Sequence, residues 1–168
     1  MKQLRKFWSA ALLALGLCLF MAPGAARAQI SGGSEDLSQD WSLRIGVFIL
    51  HGSGDLGISG MVERRVHNSP DYDIMLGVGY NGLNNVYSVP IMLNVIGKHA
   101  NGRYGGGIGY SFGKRSEGNS FTGVAFDVVA GYTFVHGRNP MNVDLRWYFI
   151  SGANSELDGP SITLGVQF

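Results

Sequence analysis

Residues 141–149 read Met-Asn-Val-Asp-Leu-Arg-Trp-Tyr-Phe, and apolar side chains occupy every second position of this stretch. Successive side chains of a β-strand point to opposite faces, so a period of two indicates a strand with one apolar face. The other face of this strand carries Asp144 and Arg146, two opposite charges that need partners if they are buried. The segment therefore predicts a sheet with one apolar face and one charged face.

The same alternation recurs along most of the chain. It appears at 42–49, 72–80, 87–95, 103–112, 123–134, 141–149 and 162–168. Runs rich in Gly, Asn, Asp, Ser and Pro separate these segments, as tight connections require, and no helical periodicity appears. A closed up-and-down barrel with both chain ends on one side needs an even number of strands, so an eighth is sought at 58–67. There Ile58, Val62 and Val66 share one face, although Arg64 falls among them, and Met61, Glu63 and Arg65 share the other. The fold class is thus all-β, an eight-stranded antiparallel up-and-down barrel.

The composition of the polar faces decides which face of the sheet points into the barrel. Three arginines and three aspartates lie on these faces: Arg44, Asp73, Arg103, Asp127, Asp144 and Arg146. The interior of an eight-stranded barrel is only just wide enough for its own side chains. Charges that pair with each other fit such an interior without a water-filled channel. We therefore expect an interior closed by paired charges and an apolar outer face; the alternative is a narrow ion path.

Glycine is unusually abundant, and the barrel explains why. After residues 1–28 are set aside, 24 of the remaining 140 residues are glycine, about 17 per cent, against a usual share of about 7 per cent. Many of them alternate with the apolar residues, on the same face as the charges. Glycine weakens a solvent-exposed strand without any packing gain, so these positions indicate a crowded interior.

The first 28 residues have the parts of a secretory signal peptide. Basic residues at 2, 5 and 6 precede an apolar stretch at 7–21, and Ala26-Arg27-Ala28 supplies an A-x-A site, so we expect cleavage after Ala28. Residues 29–40 form a polar lead-in, and 41–168 form the barrel. Cleavage leaves nine of the 13 basic residues against 12 acidic ones, a net charge of −3 that offers no footprint for nucleic acid. The only cysteine, Cys18, is also lost.

The chain resembles the small eight-stranded outer-membrane β-barrel family, the type of the OmpA membrane domain, OmpX and the opacity-related proteins. The resemblance covers 41–168. It is carried by the segments 89–94 (VPIMLN), 104–112 (YGGGIGYSF), 143–148 (VDLRWY) and 162–168 (ITLGVQF). It implies the barrel fold and a location in the cell outer membrane, surrounded by lipid. We expect the protein to be a monomer. The terminal alternation of Ile162, Leu164, Val166 and Phe168 resembles the family's assembly signal, which the barrel-insertion machinery reads.

Members of that family differ in function, so the role has to be argued separately. We expect a structural or surface-interaction role without enzymatic activity, cofactor or metal. One alternative is a lipid A-modifying enzyme, for which His51 and Ser53 with Glu63 are the candidate residues. His67, His99 and His136 fall in turns at one end of the barrel and are interpreted as polar turn residues instead of metal ligands. A further alternative is a soluble secreted barrel with inverted faces.

Overall fold

The computed structural model describes residues 40–51, 53–153 and 155–168. They contain eight strands: β1 (Trp41–Ile49), β2 (Leu56–Asn68), β3 (Tyr72–Leu83), β4 (Val86–His99), β5 (Gly102–Lys114), β6 (Ser120–Val135), β7 (Met141–Ile150) and β8 (Gly159–Gln167). Each strand pairs antiparallel with the next, and β1 also pairs with β8, so the sheet closes. The predicted eight-stranded, all-β up-and-down barrel is confirmed. No helix in these ranges is long and apolar enough to cross a membrane. The predicted signal peptide and residues 29–39 of the predicted lead-in lie outside the described residues.

The second strand, which has the poorest alternation in the sequence, takes the expected faces. Ile58 and Val62 are exposed on the outside, whereas Met61 and Glu63 are buried inside. The pairing of β2 with β3 shifts between Arg65 and His67, which leaves Val66 as a bulge. A bulge adds one residue to one strand and bends it. The alternation that the sequence shows therefore holds up to the bulge and is interrupted there.

The distribution of polar and apolar side chains in the barrel is the reverse of that in a soluble protein. In β7, the buried side chains include Asn142, Asp144 and Arg146, while Leu145 and Trp147 are exposed. The other strands share this inversion: many large apolar side chains are exposed, and the buried side chains include Arg, Glu, Asp and Asn, although Arg64 of β2 is also exposed. The strands thus place most of their charged groups in the interior of the barrel and their large apolar groups mainly on its surface.

The two ends of the barrel differ in their connections. At the end that holds Trp41 and Phe168, here called the termini end, the backbones of these two residues exchange hydrogen bonds of 3.1 and 2.9 Å. The turns at 69–71, 100–101 and 136–140 lie at this end. The opposite end, here called the loop end, carries the connections at 50–55, 84–85, 115–119 and 151–158. These connections are shorter than the sequence suggests, because the strands extend into several runs expected to be loops.

Aromatic side chains lie near both ends of the outer face. On β5, Tyr104 is near the termini end and Phe112 is near the loop end, and both are exposed. Eight residues at about 3.3 Å each separate them by about 26 Å along the strand. A strand tilt of about 40° reduces this to about 20 Å along the barrel axis, close to the apolar band of about 25 Å expected of outer-membrane barrels.

Candidate functional site

Six charged side chains form a continuous ion-paired chain across the barrel interior, here called the charge chain. In order of contact, with alternating sign, its members are Asp127, Arg146, Glu63, Arg44, Asp144 and Arg103. They come from β1, β2, β5, β6 and β7, and each is at most 7 per cent exposed. Three positive and three negative charges cancel, so the charge chain is neutral as a whole.

Glu63 is the centre of the charge chain. Its Oε1 accepts a hydrogen bond from Arg146 Nη2 (2.7 Å), and its Oε2 accepts one from Arg44 Nε (2.5 Å). Ser42 Oγ donates a further bond to Oε2 (3.1 Å). One carboxylate therefore joins two buried guanidinium groups that would otherwise repel each other.

The two arms of the charge chain extend from these arginines. Arg146 Nη1 donates to Asp127 Oδ2 (3.1 Å). On the other side, Arg44 Nη1 donates to Asp144 Oδ2 and to Asn142 Oδ1. Asp144 Oδ1 then lies 3.4 Å from Arg103 Nε. Every carboxylate of the charge chain thus contacts at least one arginine.

Glycines on neighbouring strands make the space for these side chains. Glu63 is paired in register with Gly77, Asp144 with Gly131, and Asn142 with Gly165. A Cβ atom added to Gly77 would lie 2.8 Å from Glu63 Cγ, and one added to Gly165 would lie 2.6 Å from Asn142 Oδ1 and 2.8 Å from Arg44 Nη1. These approaches are too close for a side chain, so the glycines at 77 and 165 have a direct steric cause.

Five of the six charged residues selected from the sequence belong to the charge chain, and one does not. Asp73 lies nearer the termini end, where Oδ1 accepts a bond from Lys98 Nζ (3.0 Å) and lies 3.9 Å from Arg65 Nε. Glu63 takes the central position instead. The sequence predicts that Glu63 shares a face with Met61, because the two are two positions apart, but the predicted charge network did not include Glu63. That shared face was the signal by which Glu63 could have been found.

The loop end of the interior is filled by apolar side chains, here called the apolar cap. Its buried members are Phe48, Leu50, Met61, Met92, Phe121, Ala125, Tyr148, Ile150, Ala153 and Leu157. Ala153 and Leu157 come from the connection between β7 and β8, and both are completely buried. This connection is held by two bonds to Asp158: Ile150 N donates to Oδ1 (2.7 Å) and His51 N donates to the main-chain oxygen (3.1 Å). The loop end is therefore closed by packed side chains.

The residues considered for an enzyme are not brought together. His51 lies in the connection at the loop end, with its ring 6.5 Å from that of Trp147. Glu63 lies beside Ser42 in the pairing of β1 with β2. Ser42 precedes His51 by nine positions, which is about 30 Å of extended chain, so Glu63 is far from His51. Ser53 Oγ accepts a bond from Asp55 N (3.3 Å). The described residues also contain no group of three His, Cys, Asp or Glu that could hold a metal ion.

The last strand places its alternating residues on the outer face. Ile162 and Phe168 are exposed, and Leu164 and Val166 are half-buried. The same strand closes the barrel by pairing with β1 from Ser42–Gln167 to Phe48–Ser161. Neither the protein-family models nor the curated proteins that were searched give a match to this chain.

Proposed function

We propose that this chain is an integral protein of the outer membrane of a Gram-negative cell, with a structural or surface-interaction role and a non-conducting, non-enzymatic barrel. In this proposal it is a monomer of the small eight-stranded family that includes the OmpA membrane domain. The observation that carries the proposal is the inverted distribution of side chains, with charges inside the closed barrel and apolar groups outside.

The physical chemistry of that distribution favours lipid over water. Soluble monomers rarely expose a contiguous apolar patch larger than a few hundred Å². In this barrel, each of the eight strands carries at least one exposed large apolar side chain. In a bilayer the same groups contact lipid, and the closed sheet leaves no unpaired strand edge. The aromatic residues near both ends suit the two membrane interfaces.

A non-conducting interior is supported by how the barrel is filled. The charge chain occupies the middle, and the apolar cap closes the loop end. An ion would have to break buried ion pairs and then pass packed apolar side chains, which provide no ligands for it. A structural or surface role is consistent with this filling, whereas a narrow pore is not favoured by any part of it.

Export and assembly complete the proposal. The leader would direct the chain across the inner membrane, with cleavage after Ala28, and the outer-facing residues of β8 would be read by the barrel-insertion machinery. The protein recovered from cells would then begin at Gln29, which N-terminal sequencing measures directly.

Fractionation and a gel-shift assay test the location and the fold together. We expect the protein to remain with the outer membrane after osmotic shock and to require detergent for extraction. The extracted protein should migrate faster on an SDS gel without heating than after boiling, because an intact barrel stays compact. Release by osmotic shock as a detergent-free soluble protein would overturn the membrane assignment.

A further inference from the structure

The outer face of the barrel carries very few charged side chains. Across the eight described strands, the Lys, Arg, Asp and Glu side chains that point outward are those of Arg64 in β2 and Lys114 in β5. Arg64 is exposed near the termini end, whereas Lys114 is the last residue of β5, at the loop end. A lipid-facing arginine is costly at the midplane of a bilayer and tolerated near its interfaces. The position of Arg64 therefore suits an interface.

Arg64 has no anionic partner within the part of the chain that the structure describes. The ion pairs there involve other basic residues. In register, Arg64 lies between Trp41 of β1 and Leu76 of β3. Its guanidinium carbon is 5.7 Å from the centroid of the Trp41 ring, a cation–π contact. The ring offers no oxygen acceptor, so the N–H donors of the guanidinium can still bind an anion from outside the chain.

The bulge in β2 places a second basic side chain next to that of Arg64. Because Val66 is the extra residue, His67 takes the next outward position after Arg64. Strict alternation from Arg65 would instead turn His67 inward. The exposed ring of His67 lies 5.5 Å from that of Tyr72, which is also exposed. Two basic side chains and two aromatic rings are thus neighbours on the outer face.

We propose that these four residues, Trp41, Arg64, His67 and Tyr72, here called the rim patch, bind the phosphate headgroup of an anionic phospholipid. The inference rests on the proposed place of the barrel in the outer membrane, where its outer face contacts lipid. A guanidinium donates charge-assisted hydrogen bonds to phosphate oxygens, and a neutral imidazole still donates one N–H. Trp and Tyr side chains are enriched at the headgroup level of bilayers, so the two rings mark the depth at which the phosphate lies.

The surroundings of the rim patch favour a lipid over a water-soluble anion. Val62, Val66 and Leu76 flank Arg64 on the outer face, and all three are exposed. These apolar groups suit the acyl chains that accompany a headgroup and give nothing to a free ion. The unpaired charge of Arg64 complements a net negative headgroup, whereas the choline of a zwitterionic lipid competes for the same phosphate.

Quenching of Trp41 fluorescence by brominated lipid measures which lipid occupies the rim patch. The full chain, with Trp8 and Trp147 replaced by Phe, is folded into vesicles of phosphatidylglycerol and phosphatidylcholine in which one lipid or the other is brominated. We expect phosphatidylglycerol to be favoured at Trp41 by about fivefold, the factor that one basic residue near an anionic membrane surface contributes. Arg64→Gln should remove this preference, and Arg64→Lys, which keeps the charge, should retain part of it.

Arg138→Gln is the matched control, because Arg138 is an exposed arginine in a turn at the same end of the barrel. It should keep the preference. Equal losses in Arg138→Gln and Arg64→Gln would mean a general attraction to the surface and would overturn the site. Equal quenching by the two lipids in the chain with an unmodified rim patch overturns the site and leaves the membrane location standing. Quenching by neither lipid overturns the location, and the rim patch proposal with it.

Discussion

Glu63 lies directly opposite Gly77 in the pairing of β2 with β3, and its side chain occupies the space that a Cβ at position 77 would need. The carboxylate cannot move away easily, because Arg44 and Arg146 hold its two oxygens from opposite sides. The buried charge of Glu63 and the glycine at position 77 therefore belong to one packing arrangement. The stability of the barrel should depend on both.

Replacing Glu63 with Gln should destabilise the barrel by about 3–5 kcal/mol. The substitution keeps the shape of the side chain but leaves two buried arginines without their shared negative partner. Urea unfolding of the folded barrel, followed by the fluorescence of Trp41 and Trp147, measures the change. Glu117→Gln, in the exposed turn between β5 and β6, is the control and should stay within about 0.5 kcal/mol. Equal stability of the two variants would show that the charge chain does not stabilise the barrel.

Replacing Gly77 with Ala should destabilise the barrel by about 1–3 kcal/mol, since the new methyl group overlaps Glu63 Cγ. Gly60→Ala is a matched control in β2. A Cβ at position 60 meets only the main-chain oxygen of Arg44, at 3.7 Å, so the same unfolding measurement should show a much smaller loss. Similar losses at both positions would mean that general strand effects of glycine, and not the contact with Glu63, set the result.

Placing Arg at position 145 distinguishes a lipid-facing surface from a water-facing one. Leu145 is exposed near the middle of β7, and a charge at the midplane of a bilayer costs an outer-membrane barrel about 2–4 kcal/mol. Unfolding from lipid vesicles should show that loss for Leu145→Arg and little change for Thr122→Arg, which lies near the loop end. A water-exposed barrel would tolerate both substitutions, so an unchanged Leu145→Arg variant argues against the membrane proposal.

Planar-bilayer recordings test whether the interior conducts. We expect no defined single-channel conductance from the purified chain, because the charge chain crosses the interior and the apolar cap packs at the loop end. A known porin, prepared in the same detergent, is the control for insertion. Regular conductance steps from this chain, absent from detergent alone, would favour the narrow ion path instead.

Much of the architecture follows from local patterns in the sequence. The period of two identified seven strands, and the even number that a closed barrel needs led to β2, whose Glu63 and Met61 face inward as predicted. Turn residues marked the connections, although β3 extends to Leu83 and leaves a two-residue turn at 84–85. The bulge at Val66 was not predicted, because a bulge depends on how β2 matches its partner strand and not on the composition of β2 itself.

The sequence by itself determined which face each residue occupies, because side-chain alternation is a property of every strand taken alone. It could not determine which charges meet. Arg44 and Asp144 are 100 positions apart, and their contact depends on the stagger of the strands and on the closure of β8 against β1. Only the closed barrel decided that Glu63 joins two arginines and that Asp73 contacts Arg65 and Lys98 at the termini end. Pairing across a barrel is set by register around the whole circumference, which no single segment encodes.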